Sequence, residues 1–113
     1  MTLTDLAARL ELRVFTAGIP LDRPVLGGYA SDLLSDVIGR GRKGDLWVTM
    51  QIHPNIVAVA VLKDLAGIVL VGGREPAPET VEQAEREKVP VLGTRLGAFE
   101  LAGRLYGLGL KGS

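Results

Sequence analysis

The side chains best suited to chemistry crowd into one heptapeptide, Thr49-Met50-Gln51-Ile52-His53-Pro54-Asn55. His53 is the only histidine of the chain, and its ring can donate, accept or change charge close to neutral pH. Thr49, Gln51 and Asn55 supply neutral hydrogen-bonding groups beside it. Gly27 with Gly28, and Gly72 with Gly73, are places where a backbone lacking Cβ can turn sharply or let a ligand come close. Asp32 completes the set, four residues before Asp36 and near Ser35. That trio could approach a hard cation, but capping of the following helix by Asp32 is the stronger reading.

Each of these residues also has a purely structural reading. Pro54 forces extended geometry on His53, and Asn55 is a good cap for a helix starting there. His53 and Gln51 would then only satisfy backbone groups in a turn. On the functional reading, the polar residues gather beside a helix N-terminus able to receive an anion. The local sequence leaves both open. Residues 39–44, GRGRKG, have the spacing G-x-G-x-x-G, with Asp64 twenty residues beyond Gly44. They read as a solvated turn, because a dinucleotide fingerprint needs a strand before and a helix after, and here the order is reversed.

The absence of cysteine excludes thiolate nucleophiles, disulfides and cysteine-ligated metals. No phosphate-binding loop of the G-x-x-x-x-G-K-[ST] kind occurs, and neither Ser31 nor Ser35 sits in a nucleophile elbow. No catalytic residue, metal or cofactor is therefore assigned. Lys plus Arg equals Asp plus Glu, thirteen each, whereas a nucleic-acid surface normally needs a basic excess. No run approaches the eighteen apolar residues of a membrane helix, and residues 1–14 lack the pattern of a signal peptide. The expectation is a cytoplasmic protein without nucleic-acid or membrane partners.

The elements that must position these residues alternate along the chain. At 113 residues and 47% apolar, the chain is expected to form one domain over residues 1–113. A helix over 4–10, capped by Thr2 or Thr4, leads to a strand at 12–16, and two prolines then break the chain at 19–24. An extended piece at 25–30 precedes a helix over 31–38, and after the 39–44 turn comes a strand at 45–50. The most distinct strand is 67–71, followed by a surface helix over 77–88 with Pro78 in its first turn. A strand at 89–93 and a helix over 97–109 close the chain. That last helix carries Phe99, Ala102 and Tyr106 on one face and Glu100 four residues before Arg104.

Residues 56–66 suit either a strand or a helix. Their length, with Asn55 to cap the start and Gly67 to provide a left-handed end, favours a helix. Its apolar residues occupy every side, so a sheet and a second surface such as a partner subunit must cover it. The alternation predicts an α/β fold: a Rossmann-like, three-layer sandwich with a mostly parallel central sheet and right-handed crossovers. Ligands bind such sheets beyond the carboxyl ends of the strands, which are expected at 28–32, 49–55, 72–75 and Thr94.

The run GGYASDLLSDVIGRGRKGDLWVTMQIHPNIVAVAVLKDLAGIVLVGGREPAPETVEQAEREKVPVLGT resembles the small stand-alone members of the DRTGG domain family, and the resemblance spans residues 25–108. The pentapeptide that names the family is not intact here. Asp22 and Arg23 are followed by Pro24, and Gly72 and Gly73 follow Val71 where members often carry threonine. The resemblance implies a regulatory α/β module that pairs with a copy of itself, with no established catalysis of its own. Domains like it accompany phosphotransacetylases and CBS-containing inorganic pyrophosphatases, and stand-alone versions occur in anaerobic bacteria beside redox and signalling proteins. It also supports the helical reading of 56–66.

Together these readings predict a non-catalytic regulatory or ligand-sensing module, homodimeric, with a signalling or redox enzyme as a further partner. Its ligand is expected to be a small anion such as a nucleotide. Backbone amides near Gly27, Gly28, Gly72 and Gly73 would hold it, with Asp32, Thr49, Gln51, His53 and Asn55 adding directional bonds. The alternatives are a phosphoryl- or acyl-transfer enzyme using His53 as base, and a protein-interaction subunit with no small ligand.

Overall fold

A computed structural model describes residues 1–112. In chain order the elements are α1 Leu3–Arg9, β1 Arg13–Val14, β2 Gly27–Ala30, α2 Leu34–Arg40 and β3 Asp45–Thr49, then α3 Asn55–Lys63, β4 Gly67–Leu70, α4 Pro78–Glu87, β5 Val91–Gly93 and α5 Ala98–Gly107. One five-stranded sheet runs β1-β5-β4-β3-β2, parallel throughout except that β1 pairs antiparallel with β5. The fold is α/β, mixed but mostly parallel, as the alternation of elements predicts.

Every residue of β3, β4 and β5 is buried, which is why these strands are apolar on both faces rather than on one. Their period-two alternation sorts the core into two halves. Leu46, Val48, Val69 and Leu92 pack with Leu3 and Leu6 of α1 and Leu101 and Leu105 of α5. Trp47, Ile68, Leu70 and Val91 pack with Val37 of α2, Ile56, Val57 and Ala60 of α3, and Ala84 of α4. The three crossover helices thus cover one face, stepping in one direction across the sheet, and the first and last helices cover the other.

Residues 56–66 are helical in their larger part, and α3 ends differently from expectation. Asp64, not Gly67, takes the left-handed conformation, with φ 53°. Gly67 opens β4, where a Cβ would lie 3.2 Å from both Leu3 and the Pro90 carbonyl; close packing accounts for that glycine. Asn55 does not cap α3 but is its first residue, after Pro54. Ile56, Val57, Val59 and Ala60 are buried, while Val61 and Leu62 remain 46% and 66% exposed. In α5 the buried positions are Leu101 and Leu105; the face of Phe99 and Tyr106 points outward, with Phe99 94% exposed. The N-terminal helix has the capping box expected of Thr2, whose hydroxyl accepts from Asp5 while the Asp5 carboxylate accepts from Thr2.

The segment between β1 and β2 decides which end of the sheet is open. It crosses beneath the amino ends of the parallel strands. The Thr16 hydroxyl accepts from Val91 N–H, the Arg23 guanidinium donates to the carbonyls of Ala66 and Lys88, and Leu26 N–H donates to Gly44. This strap satisfies backbone groups that enter β3, β4 and β5, so the amino ends are closed and the carboxyl ends face outward.

Candidate functional site

The carboxyl rim has two unlike corners. At the β2–β3 corner, Asp32 is the centre of a closed network. Its Oδ1 accepts from the Thr49 hydroxyl at 2.9 Å and from Met50 N–H at 2.7 Å. The Gln51 amide donates to the Asp32 carbonyl at 3.0 Å, and Gln51 N–H donates to the Thr49 hydroxyl at 3.2 Å. Beneath it, the buried Trp47 donates its indole N–H to the Ser31 carbonyl at 2.8 Å. Three of the residues expected at the site, Asp32, Thr49 and Gln51, therefore lie together and bind one another. Asp32 does not cap α2, whose N-cap is Leu33 without a side-chain bond, because its carboxylate is committed to β3.

Asp36 is also committed elsewhere. It accepts from the Tyr29 hydroxyl at 2.7 Å, and that bond, then the Ser31 hydroxyl, holds its carboxyl below the usual carboxylate range. The same bond pushes the Tyr29 phenol above its ordinary value. Asp32 and Asp36 thus occupy separate networks rather than one face of a helix. Among the described residues no group of three or more histidine, aspartate or glutamate side chains is arranged to hold a metal ion.

His53 is exposed at the start of α3. Its Nδ1 accepts from Asn55 N–H at 3.0 Å and its carbonyl from Ile56 N–H at 3.1 Å, so the histidine does the capping expected of Asn55. A neutral ring accepting at Nδ1 carries its proton on Nε2. The loop behind it is anchored to α4: the buried Thr80 hydroxyl donates to the Ile52 carbonyl at 2.6 Å.

The glycines divide. Gly27 and Gly28 are not at the rim: they begin β2 and pair with Asp45 and Leu46 at the amino end of β3. A Cβ on Gly27 would meet the Asp45 carboxylate and the Lys111 carbonyl at 2.9 Å, and Gly28 N–H donates to Lys111 at 3.0 Å. Their place was misjudged because the strand starts at Gly27, two residues into the expected extended piece. Gly72 and Gly73 do stand at the rim, both left-handed, with φ 69° and 72°. Their amides are not free for a ligand, since Gly72 donates to the Leu96 carbonyl at 2.8 Å and Gly73 to Thr94 at 2.9 Å. They shape a turn, and those two bonds tie the β4–α4 loop to the β5–α5 loop.

That tie builds the second corner. Because β1 is antiparallel, Arg13 lies beside Gly93 at the carboxyl end of β5. A cleft of about 480 Å³ opens there, lined by arginines 13, 74, 95 and 104, by Glu11 and Glu75, and by Gly73, Gly93 and Thr94 among others. Arg13 stacks over Phe15 at 4.6 Å from the ring centroid and lies 3.6 Å from Glu75. Gly93 is required by Phe15, since a Cβ there would be 2.5 Å from the ring. Arg104 pairs with Glu100, as their spacing predicts. The sequence marks none of the four arginines as a ligand-binding residue; Arg104 enters it only as the partner of Glu100. They come from β1, the β4–α4 loop, the β5–α5 loop and α5, and no local spacing signals that they meet. The GRGRKG turn shows the expected solvated character: Arg40 pairs with Asp36 and Lys43 with Asp64 at the surface.

The chain is thus a crossover α/β domain with a sealed amino end and an arginine-lined cleft at its carboxyl rim. The DRTGG domain model matches residues 25–108, and the chain belongs to that family. Among solved structures it is similar to the CBS and DRTGG domains of the regulatory region of Clostridium perfringens pyrophosphatase complexed with activator, diadenosine tetraphosphate. The TM-score is 0.69 at 17% identity, covering 97% of this chain and 47% of that one. The chain spans about half the length of that structure, and at this identity the likeness is one of fold. No curated protein matches. None of the helices among the described residues is long and apolar enough to cross a membrane.

Proposed function

We propose that this chain is a regulatory module that senses a small anion and transmits its presence to a partner, without transforming it. The observation that carries this reading is the cleft at the carboxyl rim, where four arginines face two glutamates. Its volume suits an organic ligand, for which pockets run from about 300 to 1,000 Å³. A regulatory role is favoured over catalysis because Asp32, Thr49 and Gln51 are engaged with one another and His53 Nδ1 is engaged by its own helix. The similar regulatory region of the Clostridium perfringens pyrophosphatase, complexed with a dinucleotide activator, supports a nucleotide as the kind of anion and an enzyme as the kind of partner. Of the residues expected to hold the ligand, Gly73 lines the cleft, whereas Asp32, Thr49 and Gln51 lie at the other corner of the rim.

The module works as a homodimer on this reading, through the flank of α3 that Val61 and Leu62 leave uncovered. Sedimentation at micromolar concentration is expected to give a dimer for the native chain and a monomer for Leu62→Glu; a monomeric native chain removes the dimer from the proposal. For the ligand, a thermal-shift panel of nucleotides and phosphorylated metabolites is the direct test. Saturation at about a hundred times Kd stabilises the native state by about 2.7 kcal/mol. A panel in which no anion moves Tm defeats the sensing role.

A further inference from the structure

The cleft carries a more specific assignment than "anion". Its lining holds four arginines and two glutamates, an excess of two positive charges by that count. Two of the arginines, Arg13 and Arg104, already have carboxylate neighbours in Glu75 and Glu100. The side chains of Arg74 and Arg95 have no ion-pair or hydrogen-bond partner among the described residues.

The positions of these two are set by the backbone. Gly73 N–H donates to the Thr94 carbonyl at 2.9 Å, and Arg74 and Arg95 are the residues that follow each of these. Gly72 N–H donates to Leu96 at 2.8 Å, so two hydrogen bonds bracket Arg95 and pin its loop against that of Arg74. Two unpaired guanidinium groups on two stapled loops form a built receptor for anionic groups joined in a chain.

We infer that this chain of groups is a polyphosphate, bound by Arg74 and Arg95 and drawing Arg13 away from Glu75; the inference rests on the reading above that the cleft receives an anion. A planar guanidinium meets phosphate through paired N–H donors. Phosphate is favoured over carboxylate because the cleft already contains carboxylates. The Arg13–Glu75 pair is 3.6 Å long with both side chains 66% exposed, a weak contact. A ligand carboxylate would compete with Glu75 on equal terms, whereas a phosphoanhydride chain brings more charge and more acceptor oxygens per group. The terminal ends of such a chain can be free, as in inorganic tripolyphosphate, or capped by nucleosides.

The test is calorimetric titration of the intact chain at one fixed ionic strength with orthophosphate, inorganic tripolyphosphate, AMP, ATP and citrate. Tripolyphosphate or ATP is expected to bind at least about tenfold more tightly than orthophosphate, AMP or citrate, the worth of one added charge-assisted contact. Tripolyphosphate matching ATP identifies the phosphate chain as the recognised part; ATP alone binding places a capped chain there. Arg74→Ala and Arg95→Ala are each expected to weaken binding by about tenfold, Arg95→Lys to restore part of it, and Glu75→Gln to strengthen it. Both exposed-arginine variants are checked for an unchanged urea midpoint. Citrate binding as well as tripolyphosphate, with loss in Arg95→Ala, overturns the polyphosphate assignment and leaves anion sensing standing. Tight binding that survives both arginine variants moves the site elsewhere and overturns it too. No binding by any of the five compounds defeats both readings.

Discussion

The two corners of the carboxyl rim contain similar amounts of polar material and use it in opposite ways. At the β2–β3 corner, Asp32, Thr49, Met50 and Gln51 donate and accept among themselves. At the β4–β5–β1 corner, the backbone does the tying, through Gly72 and Gly73, and the side chains of Arg74 and Arg95 are left over. A polar residue near the end of a strand is therefore weak evidence for a binding site until its partners are known. Buried polar groups must be paired, and groups that bind one another, as Asp32 Oδ1, Thr49 and the Gln51 amide do, are committed before any ligand arrives. Where loops are stapled by main-chain bonds, charged side chains can remain available without leaving the loops loose.

This contrast can be broken by substitutions that act on one corner. Trp47→Ala is expected to have the largest effect, a loss of about 3–5 kcal/mol in urea unfolding, because it empties a fully buried site and orphans the Ser31 carbonyl. Gly93→Ala forces the Phe15 ring to move from a 2.5 Å contact; about 1–3 kcal/mol is expected. Since Arg13 stacks on that ring, anion affinity should change as well, which calorimetry reads directly. Thr49→Val removes a buried hydroxyl that both donates and accepts, at about 1–2 kcal/mol, and is expected to leave anion affinity unchanged. If Thr49→Val weakens anion binding as much as Gly93→Ala does, the corners are not independent.

The Tyr29–Asp36 bond sharpens the comparison through pH. Asp36 has a lowered pKa in the fold, so its contribution to stability is present above about pH 4 and lost as pH falls through the folded value. Tyr29 has a raised pKa, so its contribution is present below about pH 10 and lost as pH rises through its folded value. Tyr29→Phe is expected to flatten both the acid and the alkaline limbs of the stability profile measured by urea unfolding, the acid limb only in part because the Ser31 hydroxyl still faces Asp36. The smallest expected effect on stability is that of Arg74→Ala with Arg95→Ala, within about 0.5 kcal/mol. A larger loss would mean that these side chains have structural partners and that the second corner is closed like the first.

Much of the architecture is legible in local sequence signals. Val and Ile runs, Pro78 at a helix start and the apolar length of 56–66 are local signals, and each led to the right kind of element. The termini of those elements were less legible. Asn55 yielded its capping role to His53 Nδ1, and Asp64 took the left-handed position expected of Gly67, because several nearby residues can satisfy the same helix end. The candidate site was half legible. Asp32, Thr49 and Gln51 were correctly gathered, since one strand end and the loop beside it bring them together, but their mutual satisfaction depends on distances that residue spacing does not contain. Gly27 and Gly28 were displaced to the wrong end of the sheet by a strand boundary two residues off, enough to carry a short strand from one rim toward the other.

By itself the sequence determined the order of strands and helices and the two-sided burial of the sheet, because both follow from hydrophobic period over a few residues. It also determined family membership over residues 25–108. Only the tertiary structure decided that β1 turns back beside β5, that the strap closes the amino end, and that four arginines from one strand, two loops and one helix share one cleft. Long-range register brings such residues together, and no local pattern along the chain records which segments will become neighbours.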